Sequence, residues 1–318
     1  MNSKIIKCAM QVMNYSSIGL NERFDKPAFD KNYFLKNLIV SSPKMVELLK
    51  NIKRLDESDY KKYGKLFKHY IYSGVGGGYG SKIIASAFVS SGYQLVNVKR
   101  RSKITVSQEI INTKNESKFA LLSSTALWNT PSSPSTTKEI LEIFNQRPEN
   151  IHGDKIRFII LDSGFKEGID LYDVKYCHIF EDQINESDTT QAIGRALRFR
   201  GQCGLNFVKN EGWELKVFVY ISVIIKENFF KNTEINILDY LKRNDTTLNF
   251  RLNFSKELNE ITMKNSIDYY LNKNINEYTF KKPFNFFSKV LPVVAGVATL
   301  GSVSALSLFA FHKKLFKN

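Results

Sequence analysis

Cysteine is scarce: Cys8, Cys177 and Cys203 are the only three in 318 residues. They form no CxxC pair, and the four histidines are scattered, so a disulfide scaffold and a structural zinc site are both excluded as organising devices. A reducing compartment is the default for such a chain. Glycine (17) and proline (7) are not abundant enough for a fibrous or disordered chain, and 43% hydrophobic residues leave ample material for a core. Acidic residues are also in short supply. Lys and Arg total 46 against 31 Asp and Glu, a formal charge of +15 that suits nucleic acid or an anionic membrane face without choosing between them. A coding sequence rich in A and T would raise lysine and asparagine for unrelated reasons. The opening MNSKIIKCAMQVMNYSS lacks the long apolar stretch and small-residue cleavage site of a signal peptide.

Short apolar runs alternate with helical patterns. Residues 1–40 are mixed in character and read as an extension or the remnant of a preceding domain. From Ser42 a helix is expected: Ser42 caps, Pro43 suits the first turn, and Met45, Leu48, Leu49 and Ile52 share one face. Strand-like runs follow at 68–73, 92–98, 118–124, 155–161 and 174–180, with a last pair near 205–208 and 214–222. Helices are expected at 81–89, 135–146 and 188–198. This alternation predicts an α/β fold, a parallel sheet with helices on both faces. Residues 41–226 would form this domain, and 227–288, rich in Asn and Lys, a small mostly helical appendage.

One long uncharged run stands out. Val290 to Phe311 holds 22 residues without a charge, bracketed by Lys281, Lys282 and Lys289 and by Lys313, Lys314 and Lys317. About 20 apolar residues span a bilayer as a helix. Ala295, Gly296, Ala298, Gly301, Ser302 and Ser304 would permit close packing there. The expectation is a transmembrane helix over 290–311, making the membrane a partner and the chain a single-pass, membrane-associated protein. A buried C-terminal helix is the competing reading.

Two segments carry chemistry, ILDSGFKEGIDLYDVKYCHIFE at 160–181 and QAIGRALRFRGQ at 191–202. On a helix continuing through Arg200, the spacings of Gln191, Arg195, Arg198 and Gln202 would place them on one face. Guanidinium groups match phosphate geometry. Over about residues 40–225 the chain resembles the C-terminal, second RecA-like domain of superfamily 2 helicases, closest in appearance to the NTPase/helicases of large DNA viruses. That resemblance implies a single RecA-like lobe and makes the first segment motif V and the second motif VI. It implies Gln191, Asp170, Arg195 and Arg198 as catalytic residues, Arg198 as the arginine finger, and Arg195 beside phosphate or Asp170. Gly168 and Glu167, with the two arginines, would border the nucleotide, and Ser163, Gly164 and Lys166 would face nucleic acid. The host cytoplasm or a virion would be its compartment.

The other half of such a motor is missing. GVGGGYGSK at 74–82 departs from GxxxxGK[ST] in spacing and reads as a loop before a helix. DESD at 56–59 reads as a polar connector with no suitable strand before it. ATP and Mg²⁺ would then be bound only if a second polypeptide supplied the P-loop lobe. The competing function is a catalytically inactive, membrane-anchored structural or nucleic-acid-binding protein derived from a helicase. Whether the chain is an enzyme stays open. Trp128 is expected to pack on its own domain, and Cys177 and His178 to sit in the core.

Overall fold

Chain order explains most of the architecture, described from a computed structural model covering residues 3–165, 168–198, 200–208, 212–226, 233–265 and 293–294. Helices α1 (Ser3–Asn14), α2 (Lys31–Ser41) and α3 (Pro43–Tyr63) lead into strand β1 (Lys68–Ser73). Then come α4 (Ser81–Ser90), β2 (Gln94–Leu95), the hairpin β3 (Asn97–Arg100) and β4 (Lys103–Val106), the single turn α5 (Gln108–Ile111) and β5 (Lys118–Leu122). Next are α6 (Pro134–Asn145), β6 (Phe158–Asp162), β7 (Val174–Ile179), α7 (Glu186–Gly194) and β8 (Glu214–Val219). A second hairpin, β9 (Val223–Lys226) with β10 (Thr233–Asn236), precedes α8 (Ile237–Asn244) and α9 (Thr246–Lys264), and β11 is Val293–Val294.

The main sheet runs β11-β8-β7-β1-β6-β5-β2. Its pairs from β8 to β2 are all parallel, and β11 joins β8 antiparallel. Strands β1, β5, β6 and β7 are buried along their whole length, as strands covered on both faces must be. One core layer packs Phe34 and Leu38 of α2, Met45, Leu48 and Ile52 of α3, and α4 against Ile71, Phe158 and Ile160. The opposite layer packs Ile140 and Phe144 of α6 and Ala192 and Ile193 of α7 against Tyr70, Ile159 and Cys177. Each fully buried side chain of this size contributes roughly 1.5–3 kcal/mol. The expected parallel sheet with helices on both faces is what forms.

Helix α3 starts as read from the sequence: Ser42 Oγ accepts from the Met45 amide at 3.3 Å and Pro43 opens the first turn. It continues to Tyr63 and stops at Gly64, whose φ is +64°. DESD is therefore helical, not a connector. Asp56 accepts from Arg157 at 2.7 Å and meets His69 at 3.2 Å, while Asp59 holds Lys175 at 2.6 Å and the Tyr176 hydroxyl at 2.7 Å. Both carboxylates fasten α3 to the sheet. From His69 a buried chain continues to His178 (3.0 Å), the Tyr220 hydroxyl (2.9 Å) and back to Asn51 of α3. Burial pushes both histidines below their usual pKa. The segment 205–208 is not a strand; Val208 makes an isolated bridge to Gly212.

The membrane expectation is corrected. Among the described residues no helix is long and apolar enough to cross a membrane. Two residues of the 290–311 run are described, and they form a strand: Val293 and Val294 pair with Leu215 and Glu214 at the sheet edge. Two β-branched valines suit an edge strand, whose free amides and carbonyls accept a pairing partner. The transmembrane helix, the membrane as partner and the single-pass location are accordingly withdrawn; the rest of 290–311 lies outside the described residues.

Candidate functional site

Strand β6 ends at Asp162, a buried carboxylate that accepts from Ser123 Oγ at 3.0 Å, from the Ser124 amide and hydroxyl at 2.7 and 2.9 Å, and from the Gly164 amide at 3.0 Å. It ties the ends of β5 and β6 together and sets the short turn Ser163–Phe165. A Cβ on Gly164 would lie 2.5 Å from that of Ser124, so only glycine fits. Lys166 and Glu167 lie outside the described residues. Gly168 follows with φ +76°, a backbone state that side chains resist.

Ile169 and Leu171 then anchor in the core while Asp170 between them stays half-exposed. Asn145 of α6 fixes this stretch, donating to the Asp170 carbonyl and accepting from the Tyr172 amide, both at 2.8 Å. Helix α7 ends at Gly194, short of the expected 198, so Arg195 lies in the turn that follows and Arg198 in irregular backbone rather than on one helical face with Gln191. The Leu171 amide donates to the Arg195 carbonyl at 2.9 Å, and Arg195 Nη1 donates to the Ile169 carbonyl at 3.2 Å. Arg198 Nε sits 2.7 Å from Asp170 Oδ1, the two side chains 40% and 49% exposed. The structure thus brings Asp170, Arg195 and Arg198 together. Gln191 is exposed one turn earlier on α7, and Ser163 and Gly164 lie at the β6 end. A Cβ on Gly194 would meet nothing within 4 Å, so nothing described crowds it.

Three supporting residues had no counterpart in the sequence reading. Arg147, just past α6, grips the buried carboxylate of Asp173 through Nε (2.7 Å) and Nη2 (2.8 Å). The same guanidinium donates to the carbonyls of Gly201 (2.7 Å) and Arg200 (3.1 Å). Asp173 also accepts from the Gly204 amide at 2.9 Å, and its own amide donates to Gly201 at 2.7 Å. Gln202, buried, donates to the Ala196 carbonyl. Asn145, Arg147 and Asp173 therefore clamp the arginine-bearing loop onto the sheet. Only Asp173, an aspartate directly before a strand and tolerant of its positive φ, left a sequence trace.

The glycine loop after β1 is filled by the chain itself. Glu181, buried at the end of β7, accepts from the Gly74 amide, from Ser73 Oγ and Asn14 Nδ2 (both 3.0 Å), and from Gln183 Nε2 (3.0 Å). A Cβ on Gly80 would fall 1.9 Å from the Val75 carbonyl oxygen. Lys82 turns to Asp25 (3.3 Å) and the Ala126 carbonyl (2.5 Å). The Gly74 amide and the Lys82 ammonium, which a phosphate would need, are therefore already engaged within the chain. Among the described residues no group of three or more His, Cys, Asp or Glu could hold a metal ion.

No family model matches the chain. Among curated proteins it is 35% identical over 98 residues to "Putative ATP-dependent RNA helicase R563" of Acanthamoeba polyphaga mimivirus, covering 31% of this chain and 16% of that protein. It is 28% identical over 180 residues to "Uncharacterized killer plasmid pGKL-2 helicase" of Kluyveromyces lactis, covering 57% and 25%. It is 25% identical over 154 residues to "Putative helicase 087L" of Invertebrate iridescent virus 3, covering 48% and 15%. The chain thus spans a quarter or less of each relative's length. Among solved structures, the C-terminal part of the Fun30 ATPase domain aligns with TM-score 0.32 and 15% identity over 63% of this chain and 57% of that one. The Pyrococcus furiosus Hef helicase domain aligns with TM-score 0.27 and 18% identity over 52% and 26%. The sequence relatives support a RecA-like domain of the helicase superfamily, related to viral and plasmid helicases.

Proposed function

We propose that this domain is the second RecA-like lobe of a superfamily 2 motor acting on nucleic acid, and that it lends Arg195 and Arg198 to an ATP site completed by a P-loop lobe on another polypeptide. The observation that carries the reading is the Arg198–Asp170 pair at 2.7 Å beside the buried Arg195, half-open to solvent on a clamped loop. Preorganised guanidinium groups stabilise charge on a transferring phosphoryl group. Asp170 orients Arg198 until the motor closes, when Arg198 leaves it for the γ-phosphate, with Arg195 and Gln191 alongside. Gly168 and Glu167 border the nucleotide. Ser163, Gly164 and Lys166 meet the nucleic-acid backbone, where amides and lysine bind phosphate with little base preference. ATP would bring the reactive phosphate and Mg²⁺ would offset its charge, both held by the partner lobe, while this lobe contributes Arg195 and Arg198.

The filled glycine loop supports a second reading, an inactive nucleic-acid-binding or interaction protein built on a helicase lobe. Purification of the full chain from its native source, with identification of copurifying polypeptides, separates the two. A partner bearing GxxxxGK[ST] and a DExD/H box supports the split motor; repeated recovery without one favours the inactive lobe.

A further inference from the structure

The hairpin β3–β4 breaks three local rules at once. Lys99, Arg100, Arg101 and Lys103 are all exposed, four cations in five residues. Arg100 and Lys103 are direct cross-strand partners, a like-charge pairing that destabilises a hairpin. The two-residue turn between them begins at Arg101 with φ +54°, a position that hairpins normally give to Gly, Asn or Asp. Relief is slight: Arg100 reaches Glu109 at 3.5 Å with side chains 59% and 86% exposed, and Lys99 donates to the Trp128 carbonyl at 3.0 Å. Local conflicts of this kind concentrate where a surface serves something outside the chain.

The hairpin is also rigidly placed. Ile104 and Val106 are buried, and Thr136 Oγ1 of α6 donates to the Ile104 carbonyl at 2.8 Å. Beyond this junction Thr137, Lys138 and Leu141 of α6 face Phe165 and Gly168 across a groove of about 590 Å³. The Phe165 side of that groove follows directly on Ser163 and Gly164, assigned above to nucleic acid, and α6, about 18 Å long, runs from the groove to its Thr136 bond with β4.

We infer that the β3–β4 hairpin is a second phosphate-backbone contact, which takes up a single nucleic-acid strand where it leaves the α6 groove. This rests on the nucleic-acid reading of the lobe and extends it to a surface outside the motif segments. A concave groove along α6, the helix that holds β4, suits a strand, whereas a membrane would meet the tip alone.

The test is binding of the full-length chain to mixed-sequence single-stranded 25-mers, one DNA and one RNA, between 50 and 200 mM salt. Each phosphate contact on a single strand adds about 0.7 to the slope of log K against log salt. Arg100→Gln/Arg101→Gln/Lys103→Gln should make the slope shallower by about 2, so the ratio of affinities at 50 and 200 mM falls by about 16-fold. Arg101→Gly should raise the melting temperature by relieving the turn yet lower the slope by about 0.7. A merely structural hairpin would not divide those readouts. Unchanged slopes in both variants overturn the inference, even where the motor reading survives through the partner-dependent ATPase. Loss of binding to vesicles containing phosphatidylserine, with nucleic-acid slopes intact, overturns it in favour of a membrane surface. Absence of nucleic-acid binding by the unmodified chain overturns it as well, and the partner-dependent ATPase then decides the ATP half of the motor reading separately.

Discussion

Replacing Lys68 by methionine should stabilise the protein at neutral pH, and the gain should vanish as the pH rises. Lys68 is fully buried at the start of β1, over the Phe144 ring, with Nζ 2.8 Å from the Phe144 carbonyl at the end of α6. Burial, only partly offset by Asp173, pushes its pKa from 10.5 down to about 7. Between those values the unfolded chain binds the proton and the folded one does not, so stability rises with pH by up to about 1.4 kcal/mol per unit. Below pH 7 the full penalty is present, of order 5 kcal/mol over the 3.5-unit window (10.5 minus 7). Methionine removes that penalty and gives up one hydrogen bond, about 1 kcal/mol. The carbonyl is not orphaned, because Asn150 Nδ2 also donates to it at 2.9 Å. A net gain of about 2–4 kcal/mol at pH 7 follows. Urea denaturation followed by tryptophan fluorescence at pH 7.5, 8.5 and 9.5 should show the two proteins converging by about 1.4 kcal/mol per unit. Tyr72, Tyr176 and Tyr220, held above their usual pKa by burial, act on both proteins alike and cancel. Parallel curves, or a variant less stable at pH 7.5, would refute the reasoning.

Asp173→Asn removes the charge gripped by Arg147 and should cost about 2–3 kcal/mol, discounted because Arg147 is 30% exposed; hydrogen exchange should quicken across 195–204 before the sheet loosens. Gly80→Ala drives a methyl into the Val75 carbonyl and should cost about 1–3 kcal/mol, whereas Gly194→Ala meets nothing and should be neutral or stabilising by up to about 1 kcal/mol; paired thermal melts distinguish them. The depressed pKa values of His69 and His178 mean that unfolding takes up protons in acid. Their contribution is therefore present above about pH 6.5 and lost as the pH falls below it, and His178→Phe should flatten the fall in urea midpoint between pH 7 and 5.

The central strands were legible because β1, β5, β6 and β7 are apolar runs with both faces covered. The far end of α3 was not: Asp56 and Asp59 occupy its inward face, where buried pairing with Arg157 and Lys175 disguises a core-facing stripe as a polar connector. The packing of α1 and α2 onto the lobe escaped for a related reason. Tyr15, Phe34 and Leu38 are core residues whose partners lie on α3 and α4, beyond any local period. Periodicity placed Gln191, Arg195 and Arg198 on one helix, yet backbone bonds from Leu171 and Asp173 pull the chain out of helical geometry after Gly194. Val293 and Val294 show the limit of composition, which records apolarity and not the choice between helix and strand.

On the proposed reading this lobe completes another chain's ATP site. The most direct measurement is steady-state ATP hydrolysis by the copurified P-loop polypeptide, alone, with this chain, and with its Arg198→Ala variant, at matched melting temperature. The chain should stimulate hydrolysis, and Arg198→Ala should lower the stimulated rate by about 10³-fold or more. Equal stimulation by the unmodified chain and the variant would contradict it.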